Sequence, residues 1–402
     1  MVQKELDRFF ENYITRDSLF LDKKVLQSTY TPEDIPHRED QIQSIAEILA
    51  PSLKLEKPSN IFIYGKTGTG KTVCVKYTTQ RAMRIAHDRN IPMRVIYLNC
   101  KLKRVADTEY RLIAQLAREL GKDIPPTGLP TDEVYKLFCD ALDRKEQLIV
   151  IVLDEIDQLV SKAGDGTLYN LTRINAELKK SQISVIGISN DLNFTDTLDP
   201  RIKSSLSEEE LVFPPYNALQ IQDILNHRKV KAFKEGVLSS GVIEKCAAYA
   251  AREHGDARRA LELLRVAGEI AERKNLSEVT IEHIDEAEDK IERDRVLDIV
   301  KTVPKQFQAT LYSIFAICEK HDGQILTGEV YESYKKLCLS IGLRPLTQRR
   351  VSGVIAELDM LGIINAKVIS KGRYGRTREI SLAIPHSTQP KLVEILKQDL
   401  DI

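Results

Sequence analysis

Eight consecutive residues, Gly65, Lys66, Thr67, Gly68, Thr69, Gly70, Lys71 and Thr72, spell G-x-x-x-x-G-K-T between an apolar stretch, Ile61 to Tyr64, and a helical pattern from Val73 to Arg84. Strand, loop and helix in that order are the setting in which this motif binds a nucleoside triphosphate rather than making an ordinary glycine-rich turn. The glycines let the chain curl so that successive N–H groups face phosphate oxygens, and the helix N-terminus adds partial positive charge. Lys71 neutralises phosphate charge, Thr72 offers a hydroxyl to Mg²⁺, and Val73 completes the candidate nucleotide-binding set.

Eighty-three residues beyond Lys71, the apolar run Leu148 to Leu153 ends in Asp154-Glu155-Ile156-Asp157. A strand buried on both faces reads this way, and ligands bind outside the carboxyl ends of such strands. Asp154 is therefore the candidate Mg²⁺ partner, directly or through water, and Glu155 the candidate base orienting an attacking water. A solvated acidic turn is the plainer alternative.

A second chemistry gathers near the C-terminus. Between residues 343 and 378 stand Arg344, Arg349, Arg350, Lys367, Lys371, Arg373, Arg376 and Arg378 against only Glu357 and Asp359. Arg349 and Arg350 occupy the first turn of an expected helix, Thr347 to Leu361, backed by an apolar stripe of Val351, Val354, Ile355, Leu358 and Leu361. That is the construction of a helix that enters a major groove. Lys371, Gly372, Arg373, Tyr374, Gly375 and Arg376 form a glycine-hinged hairpin tip, suited to lie along a minor groove.

Elements must position these groups. Strands are expected at Ile61 to Tyr64, Arg94 to Asn99, Leu148 to Leu153, Ile183 to Ser189 and Glu210 to Phe213, separated by helices, which implies a parallel α/β sheet. After Pro214 and Pro215 the pattern is helical to Val300. A third region follows, with helices at Lys305 to Lys320, Thr327 to Ile341 and Thr347 to Leu361 and strands at Ile363 to Ser370 and Arg378 to Ile384. The expected domains are 1–215, 216–300 and 301–402, a division that suits 402 residues.

The formal net charge is zero, yet residues 301–402 carry 15 basic against 10 acidic side chains and the rest carries 44 against 49. The last quarter is electrostatically distinct. No apolar run approaches the ~20 residues needed to span a bilayer, and the N-terminus is charged rather than signal-like. Six cysteines lack zinc spacing and are expected reduced, in the cytoplasm.

With these residues in place, the chain resembles the AAA+ ATPases, and within them the archaeal origin-recognition and cell-division-control replication initiators. The resemblance rests on the phosphate loop, the D-E-x-D strand end, Gly187 to Asn190, Leu198 to Leu206, Gly255 to Leu261, Leu346-Thr347-Gln348-Arg349-Arg350 and Gly372 to Thr377. It implies an AAA+ sheet domain, an all-α lid and a C-terminal winged helix. It implies Asn190 as a first sensor, against a turn-forming asparagine, and Arg258 as a second sensor on the lid. Arg201 would be an arginine finger acting on a neighbour's ATP, against a plain surface arginine. Tyr216 and Arg228 would flank the adenine, against a core tyrosine and a solvated arginine, with Val25 to Arg38 covering the base. Arg344, Thr347 and Gln348 join the DNA-contacting set, and a helical insertion at about 101–130 is a further DNA candidate. The implied function is ATP-dependent binding of double-stranded origin DNA, with slow hydrolysis of ATP to ADP as a switch. The implied partners are the replicative helicase and other initiator paralogues, with no membrane and a place at the nucleoid. A winged-helix transcription regulator carrying an ATPase module remains the alternative, as does a clamp or helicase motor without sequence preference.

Overall fold

A computed structural model of the protein describes residues 17–101, 108–125, 128–319, 325–370, 376–384 and 388–402. They divide into two compact units, Met1–Ile284 and Asp285–Ile402.

The first unit is built on five parallel strands: β1 (Ile61–Tyr64), β2 (Met93–Asn99), β3 (Gln147–Asp154), β4 (Ser181–Ser189) and β5 (Glu209–Val212), in the order β2-β3-β4-β1-β5. β3 is buried at every position, as its unbroken apolar run requires. Its residues alternate between two cores. Leu148, Val150 and Val152 face one side with Ile61, Ile63 and Ile186, under α1 (Glu39–Leu49) and α2 (Lys71–Asp88). Ile149, Ile151 and Leu153 face the other, under α3 (Glu109–Glu119), α4 (Thr131–Leu142), α5 (Ile156–Ala163), α6 (Gly166–Arg173) and α7 (Pro200–Leu206). β5 is an edge strand with Glu209 and Glu210 exposed.

Register sets the functional end of the sheet. Asp154 pairs with Asn99 on one side and Ile188 on the other, and Tyr64 pairs with Ser189. The phosphate loop, Asp154 and Asn190 thus all leave the same edge. Each expected strand is present, shifted by at most two residues. The fifth stops at Val212 instead of Phe213, because Pro214 and Pro215 cannot donate to a ladder.

Three helices complete this unit: α8 (Ala218–Ala232), α9 (Val242–Arg252) and α10 (Ala257–Arg273). Asn217 and Gln220 form a reciprocal capping box that starts α8, at 2.9 and 3.0 Å. The segment before α1 is fastened to these helices. Phe20 stacks on Phe233 with ring centres 4.5 Å apart, and Glu272 accepts hydrogen bonds from Ser18, Leu19 N–H and Lys23.

Helix α11 (Ile281–Thr302) leads into the second unit, which contains α12 (Lys305–Cys318), β6 (Ile325–Leu326), α13 (Thr327–Ser340), α14 (Gln348–Met360), β7 (Ile364–Ser370), β8 (Arg376–Leu382) and α15 (Gln389–Leu400). β8 lies between β6 and β7, antiparallel to both. Two elements of this unit, β6 and α15, are not among the expected ones. β6 is two residues long, too short to show a period. α15 buries Leu392, Leu396 and Leu400, a stripe at i, i+4 and i+8 with Pro390 in its first turn, and that signal was readable.

Candidate nucleotide site and nucleic-acid face

The phosphate loop closes on itself through Lys71. Its side chain is only 4% exposed, and its ammonium donates to the carbonyls of Gly65 at 2.6 Å and Lys66 at 2.7 Å. Burial, with Arg258 nearby, pulls the Lys71 pKa down to about 8. Thr69 donates its hydroxyl to Lys66 O at 2.9 Å and further pins the curl. Gly68 has φ +70°, and a Cβ there would lie 1.7 Å from Asp256 Oδ1. Only glycine meets both the backbone angle and that approach.

At the sheet edge, the Thr72 hydroxyl donates to Asp154 Oδ2 at 2.9 Å, and the Tyr97 hydroxyl donates to the same oxygen. The hydroxyl oxygen and the buried carboxylate form an all-oxygen pair, the donor type that a hard divalent cation such as Mg²⁺ takes. Glu155 follows in the left-handed region, φ 55° and ψ 47°, a conformation costing about 1–2 kcal/mol for a non-glycine residue. Its N–H donates to Asp154 Oδ1 at 3.0 Å, and its side chain lies 3.5 Å from Asn99 Nδ2 and 3.7 Å from Lys101 Nζ. Asn190 sits one residue past β4, at this same edge.

A cavity of about 220 Å³ opens between the loop, α8, α10 and the segment 27–36. Gly68, Gly70, Thr72 and Val73 form its phosphate-loop wall; Tyr30, Pro32, Ile35, Ile224 and Leu261 give it an apolar side. Tyr216, Arg228 and Arg258 line it as well. Arg258 is exposed in the first turn of α10, whose N-cap Asp256 accepts from the N–H groups of Arg258 and Arg259. Arg228 donates to Val25 O at 3.1 Å and stacks over Tyr30, so it holds the covering segment. Tyr216 is buried, its hydroxyl against Gly70. Arg201 lies outside the cavity. It is exposed at the start of α7 and paired with Asp199 at 3.0 and 3.1 Å.

In the second unit, Arg344, Thr347, Gln348, Arg349 and Arg350 are all exposed, while Val351, Val354, Ile355 and Leu358 are buried. Thr347 is the N-cap rather than a helical residue, accepting from Arg350 N–H at 3.4 Å. The preceding turn is braced from below. The buried Tyr334 hydroxyl donates to Gln306, accepts from Leu346 N–H at 3.0 Å, and Gln306 donates to Arg344 O at 3.1 Å. Lys371, Gly372, Arg373 and Tyr374 lie outside the described residues. Arg376 begins β8, paired in register with Ser370. Within the 101–130 insertion, the described part contains α3, with Tyr110 donating to Pro125 O.

Among the residues near the site that no motif singles out are Tyr97, Asp256 and Arg38. Asp256, following Gly255 before an apolar helical period, carried an N-cap signal. Tyr97 and Arg38 carried none, because their partners lie far off along the chain.

Family models match most of the chain: one described as an AAA domain over residues 55–194, a Cdc6 AAA+ ATPase-type lid domain over 222–289, and a CDC6 C-terminal winged helix domain over 298–389. The chain is 54% identical over 404 residues to an ORC1-type DNA replication protein of Pyrococcus furiosus, covering 100% of this chain and 95% of that one. It is 53% identical to ORC1-type DNA replication protein 1 of Methanosarcina mazei, covering 97% and 94%. The Aeropyrum pernix ORC1 protein, solved in complex with DNA, is 46% identical with a TM-score of 0.84 over 96% of this chain and 98% of that one. Sheet order, phosphate loop, helical lid and winged helix agree with these matches, and the chain belongs to the family of ORC1-type DNA replication proteins, which are AAA+ replication initiators.

Proposed function

We propose that this initiator binds ATP and double-stranded origin DNA, hydrolyses ATP slowly as a change of state, and helps to place the replicative helicase. The observation that carries the nucleotide half is the 2.9 Å contact between Thr72 and Asp154, at the strand edge where the phosphate loop begins. In this reading residues 65–73 cradle the phosphates, and the ammonium of Lys71 leaves its loop carbonyls to meet phosphate oxygen. Thr72 and Asp154 would hold Mg²⁺, which when bound neutralises charge on the phosphates. Glu155 accepts a proton from the attacking water, Asn190 orients that water, and Arg258 registers the γ-phosphate from the lid. Arg201 acts on a neighbouring initiator's nucleotide after leaving Asp199. Tyr216 and Arg228 shape the base end, Arg228 through Val25 and Tyr30.

Exposed Gln348, Arg349 and Arg350 on a braced, capped helix, with Arg344 in the turn before it, support major-groove contact, and the DNA-bound Aeropyrum relative supports DNA as the ligand. Lys371, Gly372, Arg373, Tyr374 and Arg376 belong to the same proposal as a wing on the minor groove. Division of labour among residues 1–215, 216–300 and 301–402, and a place on the nucleoid, complete it.

Genome-wide occupancy is the deciding experiment. Enrichment at replication origins supports the reading, and enrichment at promoters instead would make the chain a regulator that borrowed an initiator's architecture. DNA-stimulated turnover with no sequence preference would favour a motor.

A further inference from the structure

Arg38 has an unusual position for a cation. It is 2% exposed, and its guanidinium is held by backbone carbonyls: Nε donates to Thr69 O at 2.8 Å, one terminal nitrogen to His37 O at 2.9 Å, the other to Pro214 O at 2.5 Å. Its planar face lies 3.8 Å from the centre of the Tyr216 ring and 5.6 Å from that of Phe213. Thr69 is in the phosphate loop, and Pro214 to Tyr216 lie in the connection between β5 and the lid helix α8. Arg38 itself belongs to neither.

The contacts close a circuit. The Tyr216 hydroxyl rests on Gly70, where an added Cβ would come within 2.8 Å of it. On the lid side, Gly255 packs on the Tyr216 backbone, where a Cβ would lie 2.3 Å from Tyr216 O, and the next residue, Asp256, packs on Gly68. Loop, Arg38, hinge and lid are therefore in direct contact in sequence around a ring. Burying a charge without hydrogen bonds is strongly unfavourable, so the guanidinium holds its carbonyls at fixed spacing. A planar fork can fix two carbonyls in separate directions, and a lysine ammonium on a flexible stem cannot do the same.

We propose that Arg38 is a positioning residue that couples the phosphate loop to the lid hinge, so that a loop shaped by a bound nucleoside phosphate also fixes the angle of the lid. This rests on the nucleotide reading given above and adds its transmission step. Arg38 does not line the cavity, and it acts through Thr69 and Tyr216.

Hydrogen–deuterium exchange on the full chain, with and without saturating ADP, tests the coupling in Arg38→Lys and Arg38→Gln. In the unsubstituted chain ADP slows exchange both in residues 65–72 and in residues 255–261. Both variants are expected to keep ADP protection in the loop and to lose about tenfold of it in the lid segment, the equivalent of one charge-assisted hydrogen bond. Unchanged protection in both segments overturns the coupling. Loss of protection in the loop as well also overturns it, leaving Arg38 a structural support of the loop. No ADP protection even in the unsubstituted chain overturns the nucleotide reading itself, and the coupling with it.

Discussion

The carboxylate of Asp256 stands where a side chain on Gly68 would have to go: a Cβ at Gly68 would be 1.7 Å from Asp256 Oδ1 and 2.9 Å from its Cα. At this point lid and phosphate loop are in direct contact, and Ala257 N–H donates to Gly68 O at 3.3 Å. Gly68→Ala must both adopt a left-handed backbone, at about 1–2 kcal/mol, and push the lid away. ADP affinity is expected to fall at least about tenfold, measured by titration calorimetry. Unchanged affinity would show that the lid need not close on the loop.

Lys71 gives the site a pH signature. Its pKa of about 8 in the folded chain is depressed below that of a free lysine, so the unfolded state binds the proton more tightly. Stability attributable to Lys71 is lowest below pH 8 and recovers as pH rises from about 8 towards 10.5. Phosphate favours the charged ammonium, so nucleotide binding above pH 8 takes up a proton and weakens as pH rises. Calorimetry in two buffers of different ionisation enthalpy reads that uptake directly, and Lys71→Met should abolish it.

Glu155→Gln separates binding from hydrolysis. The amide keeps the shape of the side chain but removes the base, and turnover is expected to fall by about 10²–10⁴-fold with ATP affinity little changed. Single-turnover assays and equilibrium binding on one preparation check both halves. Equal loss of both would assign Glu155 to holding the strand end.

Tyr334→Phe removes one oxygen from a fully buried ring and leaves Leu346 N–H and Gln306 without their partner. An unsatisfied buried group costs about 1–3 kcal/mol. The turn before Arg349 and Arg350 should loosen, lowering affinity for specific duplex about tenfold while non-specific binding at low salt persists. Competition binding with specific and random duplexes reads the ratio.

Arg349 and Arg350 differ in kind from that brace. Replacing either by alanine should weaken binding, and if the residue meets phosphate, the slope of log affinity against log salt should shrink by about 0.9. An unchanged slope with relaxed sequence preference would assign that arginine to a base edge.

Much of this was legible in the chain because the informative groups are contiguous. The phosphate loop, the Asp154 strand and the stripe behind Arg349 each announce themselves within a dozen residues, and the order of strands and helices follows from alternating periodicity. What the sequence withheld is contact at long range. Nothing near Arg38 indicates that it binds the carbonyl of Pro214, 176 residues away. Nothing near Arg228 says that it holds Val25, which lies 203 residues before it. The Asp199 clamp on Arg201, by contrast, spans only two residues and follows from the N-cap position of that aspartate.

β5 has a further consequence. An edge strand of a parallel sheet offers unpaired N–H and C=O groups to any other extended polypeptide, and β5, like β2 on the far side, is an edge strand. Glu209 and Glu210 stand exposed there, one toward each face of the sheet, so a second molecule adding its own β5 alongside would set carboxylate near carboxylate on both faces. Electrostatic repulsion opposes growth from one molecule into the next along this edge.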